Sequence, residues 1–228
     1  MNVRHVTWTK STLLVVLALC APLTARAQGP REVPEPYTPA ADAKDLKSVL
    51  FNWARNMGML KGHDERDMVA SLEYQGTGTI QVDGQPCKLT KYRASTNYQS
   101  FSQRIQYSCT RSNGQAYSNI EVVSGFYAWD EDVPGAQIGP TKGKVTPMPA
   151  TVQERLIRIW ASPQGAAKAA IAGTTNTFWL GANPGTLFED GTVKAGQTSL
   201  SWQGSKPVLT FPLPAVPGAM AMATLDAK

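Results

Sequence analysis

Few residues of this chain have types and spacings that could do chemistry. Past residue 27 there is one histidine, His63, between Gly62 and Asp64. A hydrolytic triad or a multi-histidine zinc centre needs more partners than that, so His63 reads as an exposed loop residue. Asp130-Glu131-Asp132 offers three carboxylates that could attract calcium. They are consecutive, without the alternating oxygens and the glycine of a calcium loop, and read as a solvated turn. Gly76-Thr77-Gly78 lacks the third glycine of a dinucleotide fingerprint and lies inside an alternating pattern. No pair of carboxylates is singled out for glycoside hydrolysis. The expectation is a protein with no catalytic residues, no metal site and no cofactor. The informative pair is Cys87 and Cys109, which reads as a disulfide if the chain is exported.

Export is what the first residues predict. Arg4 and Lys10 precede the apolar run Leu13–Leu19, and Ala25-Arg26-Ala27 supplies a cleavage site. The run is too short for a comfortable membrane span. Lipid attachment at Cys20 would want a small residue before it, and Leu19 stands there. Cleavage after residue 27 removes Arg4, Lys10 and Arg26 and no acid, so a net charge of +5 becomes 5 − 3 = +2. That balance, without a basic run interleaved with aromatics, argues against nucleic-acid binding. Two cysteines survive, in a chain of ~200 residues that can build one real core. The expected location is the periplasm, with no membrane span after cleavage.

The expected organisation is a signal peptide over 1–27, a flexible Pro-rich lead-in over 28–42, and one curved-sheet domain over 43–228. The chain stops at Lys228 within a strand pattern, which predicts a fragment of a longer protein. Leu46, Val49, Leu50, Trp53, Ala54 and Met57 share one face of a helix, capped by Asp42 or Asp45 and ended by Gly58. Trp53 reads as core rather than as a stacking platform. A second helix carries Val152, Leu156, Ile159 and Trp160 on one face, with Arg155 and Arg158 mostly away from it. Ser162-Pro163 opens a third, which Gly173 stops. Strands are expected at Thr177–Leu180, Thr198–Trp202, Val208–Leu213 and Ala219–Leu225.

Between the first two helices the period is two. Asp83-Gly84 and Asn113-Gly114 read as two-residue hairpin turns, and a third connection centres on Tyr98. Counting outward sets Ile80 opposite Cys87, Cys87 opposite Cys109, and Tyr107 opposite Ile120. One face then collects Leu72, Tyr74, Ile80, Val82, Cys87, Leu89, Ile105, Tyr107, Cys109, Ile120, Val122, Phe126 and Ala128. Gly76 and Gly78 lie on that face too. Lys91 and Arg93 also point inward in this register, unless they snorkel at a rim or a bulge flips them.

The fold class expected is mainly β, α+β: a curved antiparallel sheet or unclosed β-barrel covered by amphipathic helices. Sheet and helices would either enclose an apolar cavity or pack into a filled core. A cavity would be lined by Tyr74, Ile80, Leu89, Ile105, Tyr107, Ile120, Val122 and Phe126 from the sheet. Leu50, Trp53, Met57, Leu156, Ile159 and Trp160 would face them.

The order of elements, with the stretch Ser124-Gly125-Phe126-Tyr127-Ala128-Trp129-Asp130 after a long meander, resembles the periplasmic lipoprotein-carrier (lipoprotein localisation factor) family. That resemblance implies an unclosed barrel with a helical lid that carries lipid or acyl chains. The expected function is therefore a non-enzymatic periplasmic binding or carrier protein for a hydrophobic ligand. A cell-envelope interaction module with a solid core is the alternative, and an envelope-polymer hydrolase is a weaker one. Expected partners are a lipid or lipoprotein, or an envelope protein.

Overall fold

The computed structural model describes residues 38–61, 66–67, 69–174 and 196–226. The expected leader, most of the expected lead-in, His63 and the strand expected at Thr177–Leu180 lie outside these residues. Chain order is α1 (Leu46–Asn56), β1 (Leu60–Lys61), β2 (Arg66–Asp67), β3 (Ser71–Gln75), β4 (Thr79–Val82), β5 (Gln85–Asn97), β6 (Ser102–Arg111), β7 (Ala116–Ser124), β8 (Tyr127–Glu131), β9 (Val145–Pro147), α2 (Val152–Trp160), α3 (Pro163–Ala172), β10 (Ser199–Gln203), β11 (Lys206–Pro212) and β12 (Met220–Thr224). All strand pairs are antiparallel. Strands β3 to β9 form one unclosed sheet in which β3 and β4 both pair with β5. Strands β10, β11 and β12 form a separate three-stranded sheet. The fold is α+β and mainly antiparallel sheet, as the sequence implies.

Local chemistry fixes the helix ends. Asp45 caps α1 by accepting from the Ser48 N–H at 3.0 Å. At the other end Gly58 takes φ +66°, its N–H bonds to Arg55 O, and the Met59 N–H bonds to Ala54 O. This is a Schellman closure, and it turns Met59 fully inward. Ser162 caps α3 through the Gly165 N–H, with Pro163 in the first turn.

Turn lengths set the sheet register, and two differ from the sequence expectation. Asp83-Gly84 is a two-residue turn with positive φ at both positions, and Ile80 faces Cys87 as expected. The β6–β7 loop holds three residues, Ser112, Asn113 and Gly114, because Arg111 N–H bonds to Gln115 O. Gly114 at φ +82° supplies the left-handed step of such a loop. The extra residue shifts β7 by one, and Ile120 and Val122 move to the face opposite Tyr107. Tyr107 pairs with Asn119 and Ile105 with Glu121. The β5–β6 connection is likewise longer, four residues from Tyr98 to Phe101, with Tyr98 buried.

A bulge at Thr90, between Leu89 and Lys91, flips the phase of β5. Lys91 and Arg93 therefore point outward, and Tyr92, Ala94 and Thr96 point inward. Cys87 and Cys109 are not directly opposed: Cys87 faces Arg111 and Leu89 faces Cys109. The cysteines bond diagonally, with Cα atoms 5.5 Å apart, within the range a disulfide spans. Gly76 and Gly78 belong to the link between β3 and β4. A side chain at Gly78 would meet open space, not a cavity.

Among the described residues no helix is long and apolar enough to cross a membrane.

Candidate functional site

The inward-facing side chains divide into two apolar clusters. The first lies among α1, α2, α3 and β11, with Leu50, Phe51, Leu156, Ile159, Leu209 and Phe211 at its centre. The helix residues expected to line a cavity are here. Leu50, Leu156, Ile159 and Trp160 are buried; Trp53 and Met57 are half-buried against the same cluster. Trp53 packs on Phe211 with ring centroids 6.4 Å apart, and Trp160 packs on Phe101 and Tyr98 at 5.6 and 6.1 Å. These side chains pack on one another, on the three-stranded sheet, and on Val123 and Ala128 at one end of the large sheet. They do not face Tyr74, Ile80 or Leu89.

The second cluster belongs to the large sheet alone. Val82, Cys87, Ala94, Ile105, Tyr107 and Cys109 are buried in it, and Tyr74, Ile80, Leu89, Tyr92 and Tyr117 are partly exposed at its surface. Among the described residues it contains no apolar helical side chain. Of the expected sheet lining, the structure brings together Tyr74, Ile80, Leu89, Ile105 and Tyr107. Ile120 and Val122 lie behind the sheet, and Phe126, at the tip of the β7–β8 turn, is 72% exposed.

A polar seam separates the two clusters. Arg155 of α2 is buried, contrary to the reading of the helix as apolar on one face and polar on the other. It donates from Nη1 to Val122 O (3.0 Å) and Trp129 O (2.8 Å) and from Nη2 to Asp130 Oδ1 (2.6 Å). One turn on, Arg158 bridges Glu121 and Glu154. Gln103 donates to Thr96 Oγ1 at 2.9 Å. The space bounded by Gln103, Ile105, Glu121, Val123, Arg155 and Arg158 has no room for a water molecule. Helix and sheet are therefore clamped together along α2 rather than held apart around a ligand.

Beyond that seam the sheet face is aromatic and electrically quiet. Tyr74 and Tyr92 pack at 6.1 Å between centroids, as do Tyr107 and Tyr117. Tyr107 Oη donates to Glu121 Oε1 at 3.0 Å. Burial, with the Glu121 carboxylate beside it, pushes the Tyr107 hydroxyl far above the usual phenol range. Burial and the neighbouring Tyr74 do the same to Tyr92. Both stay neutral. Arg111 lies over the Tyr117 ring at 5.0 Å and pairs with Asp83 at 2.7 Å. The patch is thus apolar, rimmed by paired charges, and flanked by four tyrosines.

Tyr92 and Tyr117 were hidden from sequence reasoning. The inward phase of Tyr92 depends on the bulge, and the only signal for it was the awkward inward placement of Lys91 and Arg93. Tyr117 depends on the three-residue loop.

The described residues hold no group of three or more His, Cys, Asp or Glu suited to a metal. The tyrosine patch is a surface that can bind an apolar chain. Comparison with protein-family models, curated proteins and solved structures finds no match to this chain.

Proposed function

We propose that this chain is an exported, non-enzymatic binding or carrier protein for a hydrophobic ligand such as a lipid or a lipoprotein acyl chain. The observation that carries the reading is the second cluster: Tyr74, Ile80, Leu89, Tyr92 and Tyr117 form one partly exposed apolar patch, with no apolar helical side chain of the described residues packed into it. Contiguous patches of this kind mark interaction surfaces. An acyl chain laid on it would gain ~0.8 kcal/mol for each methylene buried. The disulfide beneath the patch and the leader-like first residues both fit a periplasmic location. The resemblance of the sequence's expected element order to the lipoprotein-carrier family is a further motive for the reading.

A second reading, an envelope interaction module with a solid core, is favoured by the filled seam at Arg155. Titration with a fluorescent fatty-acyl probe separates the two. Wild type should bind saturably, and Leu89→Glu, which sets a charge on the patch, should weaken binding while the melting temperature changes little. Absence of saturable binding by a lipid-free preparation would favour the solid-core module.

A further inference from the structure

We propose that the outer face of the large sheet binds a neutral oligosaccharide laid across its strands. This face is independent of the tyrosine patch, which lies on the other side. The pairings assemble two parallel rows of outward side chains. One runs Ser71, Asn97, Ser102, Ser124, Tyr127; the next runs Glu73, Ser95, Arg104, Val122, Trp129. Each row crosses five strands, about 19 Å at the usual strand spacing. The first row is built of short side chains up to Ser124, so the surface is lowered there into an open groove of about 480 Å³, a size that suits a small ligand.

Three features specify what the groove takes. Its charges are already consumed. Arg104 binds Glu131 bidentately at 3.0 and 2.7 Å, and Glu73 receives Arg93 at 2.7 Å and the Ser95 hydroxyl at 3.0 Å. An ionic ligand would find no unpaired counter-charge among the described residues that line the groove. Hydrogen-bonding capacity is nevertheless left over, because the Ser71 and Ser124 hydroxyls hold no protein hydrogen bond among the described residues. Finally, the end of the groove is aromatic and rigid. Trp129 lines it with its indole pinned by Nε1 donating to Glu131 Oε1 at 2.9 Å, and Tyr127 beside it is 74% exposed. A fixed ring stacks on the apolar C–H face of a pyranose, while hydroxyls and amides bond the edges of the sugar. A β-linked pyranose chain repeats at close to the strand spacing, so successive sugars fall on successive strands.

The test is calorimetric titration of the full chain with cellohexaose, chitohexaose and an oligogalacturonate. The inference expects saturable binding of at least one neutral hexasaccharide and little binding of the polyanion. Ser124→Arg, which sets a long side chain into the groove from a half-buried position, should weaken that binding by about tenfold or more, as should Trp129→Ala. Ser124→Arg should leave the melting temperature and acyl-probe binding unchanged, so this result stands or falls apart from the acyl reading. No saturable binding of either neutral oligomer, tighter binding of the polyanion, or binding indifferent to Ser124→Arg would overturn it.

Discussion

Arg155→Ala is expected to be among the most destabilising single substitutions in the chain. Arg155 is 5% exposed, and its guanidinium makes three charge-assisted bonds that fasten α2 to β7 and β8. Truncation leaves two strand carbonyls without their donor and Asp130 without its cation. Each such bond contributes ~1.5–3 kcal/mol, but Asp130 retains solvent and the Asn119 amide at 3.2 Å, so the sum is discounted. Breaking a buried pair from one side costs ~3–5 kcal/mol. For a domain of this size that lowers the melting temperature by roughly 6–20 °C. Two neighbours serve as controls. Asp130→Asn keeps the Oδ1 acceptor on a group that is a quarter exposed, and should cost ~1 kcal/mol or less. Arg158→Ala removes a side chain that is 39% exposed, and should cost about the same. Urea unfolding of the three variants measures this directly. An Arg155→Ala value within ~1 kcal/mol of wild type, or equal to that of Arg158→Ala, would refute the clamp.

Replacing Cys87 and Cys109 by serine should cost about 3 kcal/mol in the chain-entropy account of a loop whose ends are 22 residues apart; free-thiol labelling of the oxidised wild type should find neither cysteine reactive. Gly165→Ala should destabilise by ~1–3 kcal/mol, although alanine is the better helix former by ~1 kcal/mol. Its Cβ would run into the Ile159 carbonyl and the Ser162 hydroxyl, and a melting temperature above wild type would contradict the packing. Burial opposes ionisation of Glu131, but the bonds from Arg104 and Trp129 outweigh it and hold its carboxyl below the ordinary range. The folded pKa being depressed, this contribution is complete above the unfolded value and is lost as pH falls toward the folded one. Melting temperatures of wild type should therefore fall more steeply than those of Glu131→Gln below about pH 4.5, and parallel curves would contradict the assignment.

The elements were legible wherever one local signal decides them. The helix stripe of Leu46 to Met57, the Ser162-Pro163 start and the Asp83-Gly84 turn all act within a few residues, and each appears as read. Register was legible only as far as loop length was. Asn113-Gly114 looks the same in a two-residue and a three-residue loop, yet that difference decides on which face Ile120 and Val122 fall. The bulge at Thr90 had a physical symptom, two cations aimed at a core, but no local sequence mark. Arg155 was misread because helix periodicity counts apolar residues. It is silent about a charged side chain whose partners are strand carbonyls made available by tertiary packing.

The claim that the tyrosine patch receives an apolar chain is tested most directly by paramagnetic broadening. A spin-labelled fatty acid titrated into the full chain, with methyl signals followed by NMR, should broaden Ile80, Leu89 and Ile105 first. Leu156 and Ile159, on the helices, and Ile120 and Val122, behind the sheet, should broaden less at the same ligand ratio. Broadening centred on Ile159 and Leu156, or on Val122, or no broadening of any methyl at saturating ligand, would contradict it.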